Sequence, residues 1–515
     1  MVSFVRRGAS RRPHRSLLGL AVLLLCALAL APVVSLGWFA FGTGNSLHWE
    51  LGYEGPEQVI NTLSLVLLVG MCTAVLGTAT GWLTARCQFP GRRWLRIAQL
   101  LPLATPSYLL AATWIDLGSR HGTRVHGFAP TLLVLVLSTY SYVFLLSTES
   151  FSVSGRRQVE ACRSLGVGPW GSFWRVALPM ALPAIGAGVA LAGMEVVNEL
   201  GAVQLLGVPT LSAGILMRWQ QEGDPQGAVA LALMALVIVA LLVGAERQLR
   251  HRSRCWNLDN DGNGETHWSL QGPRRWISQG LCLTPPLISI GMPMLWAALS
   301  WDQLQAADTV ELIALGSRSF GLALLAAALT VGVGLVLAIA KRWIPSGLMR
   351  RLTFVAGLGY AIPGTVLALA LMLVGSPLAL APLLLLVWGY ADRFLAVSKG
   401  GLDAALERIP PSVDEAATSL GNSWFGVLQR VHLPLLRGPL LVGGLLVFVD
   451  TVKELPLTFA LRPFDFDTLA VRVYQYASDE RVAAALVPAL LILALGILAA
   501  AALVPSLERF EQGGT

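Results

Sequence analysis

Charge is scarce in this sequence. Asp, Glu, Lys and Arg supply 13% of its 515 residues, where a soluble globular chain carries about 25%. That excludes a water-soluble domain with a charged surface. Clustered metal ligands are missing too: the six cysteines (Cys26, Cys72, Cys87, Cys162, Cys255, Cys282) form no CxxC pair, and the seven histidines are scattered. No Gly-x-x-x-x-Gly-Lys-Ser/Thr stretch occurs, so the chain has no phosphate-cradling loop for ATP. HExxH and GxSxG are also absent, which removes two common hydrolase signatures. The period-two alternation of a membrane β-barrel is nowhere sustained.

What is present is apolar length. Hydrophobic residues make up 55% of the chain, with a mean hydropathy of +0.65. A run of about 20 apolar residues crosses a bilayer core as a helix. Twelve such runs fall near 16–39, 60–84, 97–116, 130–150, 182–206, 228–245, 281–300, 319–340, 352–374, 381–397, 438–459 and 483–504. The expected fold is an all-α polytopic membrane protein with about twelve transmembrane helices. The basic start and small residues at Ala27 and Ala29 imitate a signal peptide, but the apolar run continues to Phe41 and reads as an uncleaved first span.

Lys and Arg are distributed unevenly. With a cytoplasmic amino terminus, segments 1–15, 85–96, 151–181, 246–280, 341–351, 393–437 and 505–515 fall inside and hold 29 of the 37, while loops 40–59 and 301–317 hold none. This positive-inside bias orients membrane helices, so both termini are expected in the cytoplasm. It accounts for the net charge of +7 without a nucleic-acid partner.

The chain repeats itself. A shift of 255 residues lays Glu160 on Glu415, Gly166 on Gly421, Gly171 on Gly426, Arg175 on Arg430 and Pro179 on Pro434. Between 159–182 and 414–437 there are ten identities in 24 gap-free positions. The same shift lays Glu195 on Asp450 and Glu199 on Glu454; a shift of 257 brings Pro106 onto Pro363. The reading is two six-helix halves, 1–245 and 281–515, parallel because an even number of spans separates them, joined by a cytoplasmic linker 246–280. Within the linker, Asp259, Asp261, Asn263 and Gly264 imitate a calcium loop, but Leu270 stands where the bidentate Glu belongs, so a solvated turn is expected.

Each copy of the repeated segment lies on the basic side between the fourth and fifth span of its half. "QVEACRSLG" and "SVDEAATSLG" read as short helices stopped by Gly166 and Gly421 in left-handed caps. A second short helix comes after each and is expected to end at Pro179 or Pro434. Glu-Ala-Ala, three residues, Gly, and a further stretch to Leu-Pro resembles the EAA loop of ABC importer permeases. Cys162 departs from that pattern, where Ala is usual.

The resemblance implies a type I importer permease in which these loops are coupling helices seated on ATP-binding subunits. Glu160, Ala161, Gly166 and Pro179, and Glu415, Ala416, Gly421 and Pro434, would form two docking knobs for two copies of an ATP-binding cassette subunit. ATP would be used by that partner, with no cofactor bound by this chain. A periplasmic or extracellular substrate-binding protein would be the second partner, and the bacterial inner membrane the location. Two loops on one chain, with the stretch 453–492, resemble the ferric-iron permease group; fused permeases for thiamine and phosphonate-type solutes share the plan.

Glu195 and Glu199 sit four apart on one expected helical face, and Asp450 and Glu454 repeat them. A charge at mid-membrane costs about 3 kcal/mol on insertion scales and so faces a cavity or a partner. Two readings fit these acids. They line a translocation pathway suited to a hard cation, or, with Lys453 neutralising Asp450 or Glu454, they pin the halves together. Metal ligands are not assigned. Pro183 and Pro456 are candidate kinks. The polar stretch 461–481 is an outer loop in which Tyr474 and Tyr476 invite either an iron–phenolate or an interfacial-belt reading. An ion-gradient-driven transporter also builds twelve spans from two halves, but has no use for a repeated cytoplasmic knob. A membrane enzyme lacks its catalytic cluster here.

Overall fold

The computed structural model describes residues 13–42, 52–153, 162, 164–254, 268–302 and 308–498. Among them the one strand pairing is a two-residue parallel ladder, Cys87–Gln88 beside Trp268–Ser269. Helix accounts for nearly everything else. The calcium-like DNDGNG stretch lies outside the described residues.

Seven helices are long and apolar enough to cross a bilayer: Ser16–Phe41, Gly55–Arg86, Phe128–Ser152, Trp170–Asn198, Pro225–Arg250, Pro273–Leu299 and Thr309–Trp343. Three more candidates are bent pairs: Arg92–Ala104 with Ser107–Arg120 (90°), Gly347–Ala361 with Gly364–Gly375 (114°), and Trp424–Leu435 with Arg437–Lys453 (72°). Among the described residues the count is therefore seven to ten, where twelve runs were expected. The runs at 381–397 and 483–504 fall on Pro382–Glu407, which carries Asp392, Arg393 and Lys399, and on the shorter Val482–Leu498. The first two bends have a local cause. Proline forces the preceding residue out of the helical region, and Thr105 before Pro106 is extended at φ −93°, ψ 114°. Pro363 stands in the matching break.

The chain packs as two compact units. One comprises Met1–Gly37, Gly321–Tyr360 and Ala370–Thr451; the other comprises Trp38–Phe320, Ala361–Leu369 and Val452–Thr515. These divide the chain by packing, whereas the halves 1–245 and 281–515 divide it by repeat. In the first unit, Val22 and Cys26 of the first helix pack with Leu337, Ala340, Met349, Ala356 and Leu395. Cys26 Sγ donates to Leu352 O (2.9 Å).

The second unit is built on close helix approach. A Cβ on Gly77 would lie 2.7 Å from Val143 Cβ, and one on Gly81 would lie 2.3 Å from Ser147 Oγ. Gly77 and Gly81 form a small-x-x-x-small stripe, the device by which apolar helices meet without a hydrophobic driving force. Ser147 Oγ donates to Gly77 O across that contact (3.1 Å). At one end of these helices Trp82 meets Phe151 edge-on (5.3 Å, 80°) and Phe173 at 5.2 Å.

The stretch 461–481, expected as an outer loop, is more ordered than its polarity suggests. Leu469–Ser478 is a helix that buries Leu469, Ala470, Val471, Val473, Tyr474 and Ala477. Its apolar residues recur at helical spacing, a pattern that the neighbouring charges mask.

Candidate functional site

Glu160 and Ala161 lie outside the described residues. The backbone beyond them matches the second copy turn for turn. Cys162 O accepts from Val167 N (2.9 Å) and Ala417 O from Asn422 N (3.2 Å). Each bond closes over a left-handed glycine, Gly166 at φ 75° and Gly421 at φ 83°. This is the helix-ending closure that only glycine adopts without strain. A π-turn then falls at Phe173–Ala177 and again at Leu428–His432, so the 255-residue shift holds in backbone conformation as well as in sequence.

The expected helix end at Pro179 needs correction, whereas the one at Pro434 holds to within a residue. Pro179 lies in the first turn of Leu178–Asn198, and the span runs on from Trp170 to Asn198. Pro434 lies in Leu433–Leu435, and the 72° bend comes after it. Both prolines come directly after a π-turn, where the hydrogen-bond ladder is already changing register and a missing N–H is accommodated.

The second copy presents Glu415 and Ala416 to the exterior. Leu165 and Leu420, equivalent under the shift, are 81% and 82% exposed. Trp170 and Trp174 in one copy, and Trp424 and Phe425 in the other, are exposed too. Each polar segment thus carries an apolar tip. The sequence signal for it, a leucine directly before the capping glycine in both copies, is easy to pass over in a chain so rich in leucine.

Two of the four membrane acids, Glu199 and Glu454, sit at helix breaks. The helix bearing Glu195 ends at Asn198, and Glu199 is extended (φ −66°, ψ 130°); Glu454 likewise comes just after the end of Arg437–Lys453. Glu195 and Glu199 therefore do not share a continuous helical face. Glu199 Oε1 accepts from Ala202 N (2.9 Å) and Oε2 from Ser107 Oγ (2.5 Å). Glu454 Oε1 accepts from Leu457 N (2.9 Å), and Oε2 from Thr458 N (2.9 Å) and Thr458 Oγ1 (2.7 Å). Each carboxylate satisfies otherwise orphaned N–H groups of the short helix after it, Gly201–Leu205 or Pro456–Leu461. Pro456 opens its helix at a position where proline is favoured; the break precedes it and is not a proline kink.

Neighbouring residues tie these breaks to the bent spans. Asn198 Oδ1 accepts from Gly364 N (2.7 Å), and Lys453 Nζ donates to Leu103 O (3.0 Å). Tyr108 Oη donates to Lys453 O (3.2 Å), and Tyr142 Oη to Glu195 Oε1 (3.2 Å). Asp450 is partly buried within Arg437–Lys453. Among the described residues no group of three or more His, Cys, Asp and Glu is placed to hold a metal ion. Tyr474 is buried, its hydroxyl bonded to Gln204 Oε1 and its ring edge-on to Phe459 (5.1 Å). Burial pushes its phenol above the ordinary value near 10.

Long apolar helices, helices broken in pairs at repeat-related positions, and a duplicated segment with exposed tips define a helical membrane permease. Residues 77–254 match the family described as binding-protein-dependent transport system inner membrane component. The chain is 28% identical over 447 residues to the Fe(3+)-transport system permease protein FbpB 2 of Haemophilus influenzae, covering 85% of this chain and 87% of that protein. The sulfate transport system permease protein CysT of Escherichia coli is 28% identical over 255 residues, 46% of this chain and 91% of its own length. The molybdenum transport system permease protein ModB of Escherichia coli is 27% identical over 210 residues, 36% and 90% respectively. A permease of this family works beside an ATPase and a substrate-binding protein.

Proposed function

We propose that this permease moves ferric iron into the cytoplasm, using ATP hydrolysed by a separate subunit. The observation that carries the reading is coverage. The similarity to the ferric-iron permease extends over 85% of the chain, whereas the sulfate and molybdenum permeases match 46% and 36% of it. A fused pair of halves, 1–245 and 281–515, is the plan that such coverage supports. In this reading both termini are cytoplasmic, and the knobs at Glu160, Ala161, Gly166 and Pro179 and at Glu415, Ala416, Gly421 and Pro434 dock two copies of the ATP-binding subunit.

In this reading Glu195, Glu199, Asp450, Lys453 and Glu454 are assigned to the translocation pathway. The bonds that Glu199 and Glu454 already make favour a role in holding helix breaks over direct ligation of the cargo. The sulfate and molybdenum relatives favour a second reading, an oxyanion cargo in the same architecture.

Uptake of radioactive ferric iron into iron-starved cells, with and without the gene, tests the substrate. Unlabelled thiamine, a phosphonate, sulfate and molybdate serve as competitors, with ATP depleted in parallel. ATP-dependent iron uptake that is lost with the gene and indifferent to the competitors is the expected result. Gene-independent iron uptake, in cells lacking other iron systems, would sink it. Docking is tested separately: Glu160→Arg with Glu415→Arg should abolish co-purification of the ATPase, and normal transport by that variant would refute the coupling role.

A further inference from the structure

The second coupling segment hangs from one side chain. Arg342 stands at the end of Thr309–Trp343, and a guanidinium has five N–H donors in a fixed planar fork. All five are used. Nε donates to Asp414 Oδ2 (2.7 Å) and Nη2 to Asp414 Oδ1 (3.2 Å), a bidentate pair. Nη1 donates to Leu406 O (2.7 Å) and Ile409 O (3.0 Å), and Nη2 to Pro410 O (3.2 Å). Those carbonyls lie at and just past the end of Pro382–Glu407, where a helix leaves its last acceptors without partners. Asp414 lies in the first turn of Pro411–Ser419, where an acid suits the helix dipole. One side chain therefore joins the ends of two long helices to the start of the segment bearing Glu415 and Ala416.

The surroundings reinforce the joint. His432 Nε2 lies 3.2 Å from Asp414 Oδ1 and is fully buried. Trp343 packs edge-on to Trp424 (6.0 Å) and beside His432 (5.9 Å). Lys341 reaches Asp403 (3.3 Å) and Glu407 (3.2 Å) one step away.

We propose that Arg342 is a positioning residue that makes the second coupling segment a rigid extension of the membrane helices. The proposal rests on the docking role given above. Lysine cannot replace arginine here, because an ammonium offers three donors from one point and no planar fork.

The test uses the full-length permease with its co-purifying ATPase subunit in lipid nanodiscs. Amide hydrogen exchange is measured at 411–420 and, with and without ADP–vanadate, at 437–461. Arg342→Lys should speed exchange at 411–420 by about tenfold, the scale of losing one charge-assisted hydrogen bond. The milder Asp414→Asn should do the same while keeping the fold. Both should retain the ATPase yet lose the nucleotide-dependent change at 437–461. Unchanged exchange at 411–420 in both variants, or a nucleotide response that persists in full, would overturn the proposal. Should Glu160→Arg with Glu415→Arg still bind the ATPase, the docking role fails instead, and the joint is judged on exchange at 411–420 alone.

Discussion

Glu199 and Glu454 stand 255 residues apart and do the same work: each lies just past the end of a membrane helix and turns its carboxylate onto the backbone N–H groups of the short helix beyond. The surroundings differ. Ser107 donates to Glu199, whereas its counterpart under the 257-residue shift is Gly364, where a Cβ would sit 3.0 Å from Glu454 Oε1.

Glu454→Ala leaves two backbone N–H groups without their acceptor in a buried setting, while the Thr458 hydroxyl keeps the main-chain oxygen of residue 454 (2.9 Å). The expected loss is about 2–3 kcal/mol, and Glu454→Gln, which keeps one carbonyl oxygen, should lose about half as much. Thermal unfolding in detergent reads both. Equal stability of Glu454→Ala and the parent would mean that the break is held by packing instead.

Gly77→Val inserts a branched side chain where a single Cβ already falls 2.7 Å from Val143 Cβ and 2.9 Å from Tyr140 O. Overpacking of this kind costs about 1–3 kcal/mol. A markedly lower melting temperature is expected, and Gly81→Val should behave alike. Gly316, with nothing within 4 Å of an added Cβ, should accept alanine without loss.

Gly166 and Gly421 have open space around them, so only their φ values of 75° and 83° oppose a side chain. Gly→Ala at either position should cost about 1 kcal/mol from left-handed strain. Gly421→Asn should recover part of it, since Asn tolerates that region. Exchange rates of the amides at Val167 and Asn422 report the closure directly.

Tyr474 offers a pH prediction with a definite sign. Its phenol is held above the ordinary value near 10 by burial, so above that pH the unfolded chain loses the proton first. The unfolded state then binds fewer protons than the folded one, and stability falls as pH rises past about 10. Tyr474→Phe should flatten that part of the stability profile and leave ferric uptake unchanged. Loss of uptake in Tyr474→Phe would restore the iron–phenolate reading.

Much of the architecture was legible because local chemistry dictated it. Gly166 and Gly421 had to be left-handed for their short helices to turn; the breaks at Pro106 and Pro363, in runs read as continuous spans, were not foreseen, although the repeat had paired the two prolines. The breaks at Glu199 and Glu454 were hidden, since a side chain that caps a restarted helix reads as a charge in the middle of an apolar run. Arg342 was invisible for another reason. Its acceptors lie 64 to 72 residues away, and no spacing rule links a guanidinium to carbonyls at that distance. The helix Leu469–Ser478 was missed because charged residues on its flanks outweighed its apolar stripe.

The paired π-turns carry one more implication. Each holds an extra residue in its helix, and an α-helix advances about 100° and 1.5 Å per residue. Passing that residue along the coil, or expelling it, turns everything beyond it like a screw through a quarter-revolution, with no hydrogen-bonded ring left open for long. Phe173–Ala177 and Leu428–His432 each lie between an exposed tip and a membrane helix. In the first copy, whose helix runs on to Asn198, such a turn would rotate the membrane helix; in the second, the 72° bend after Leu435 would redirect it.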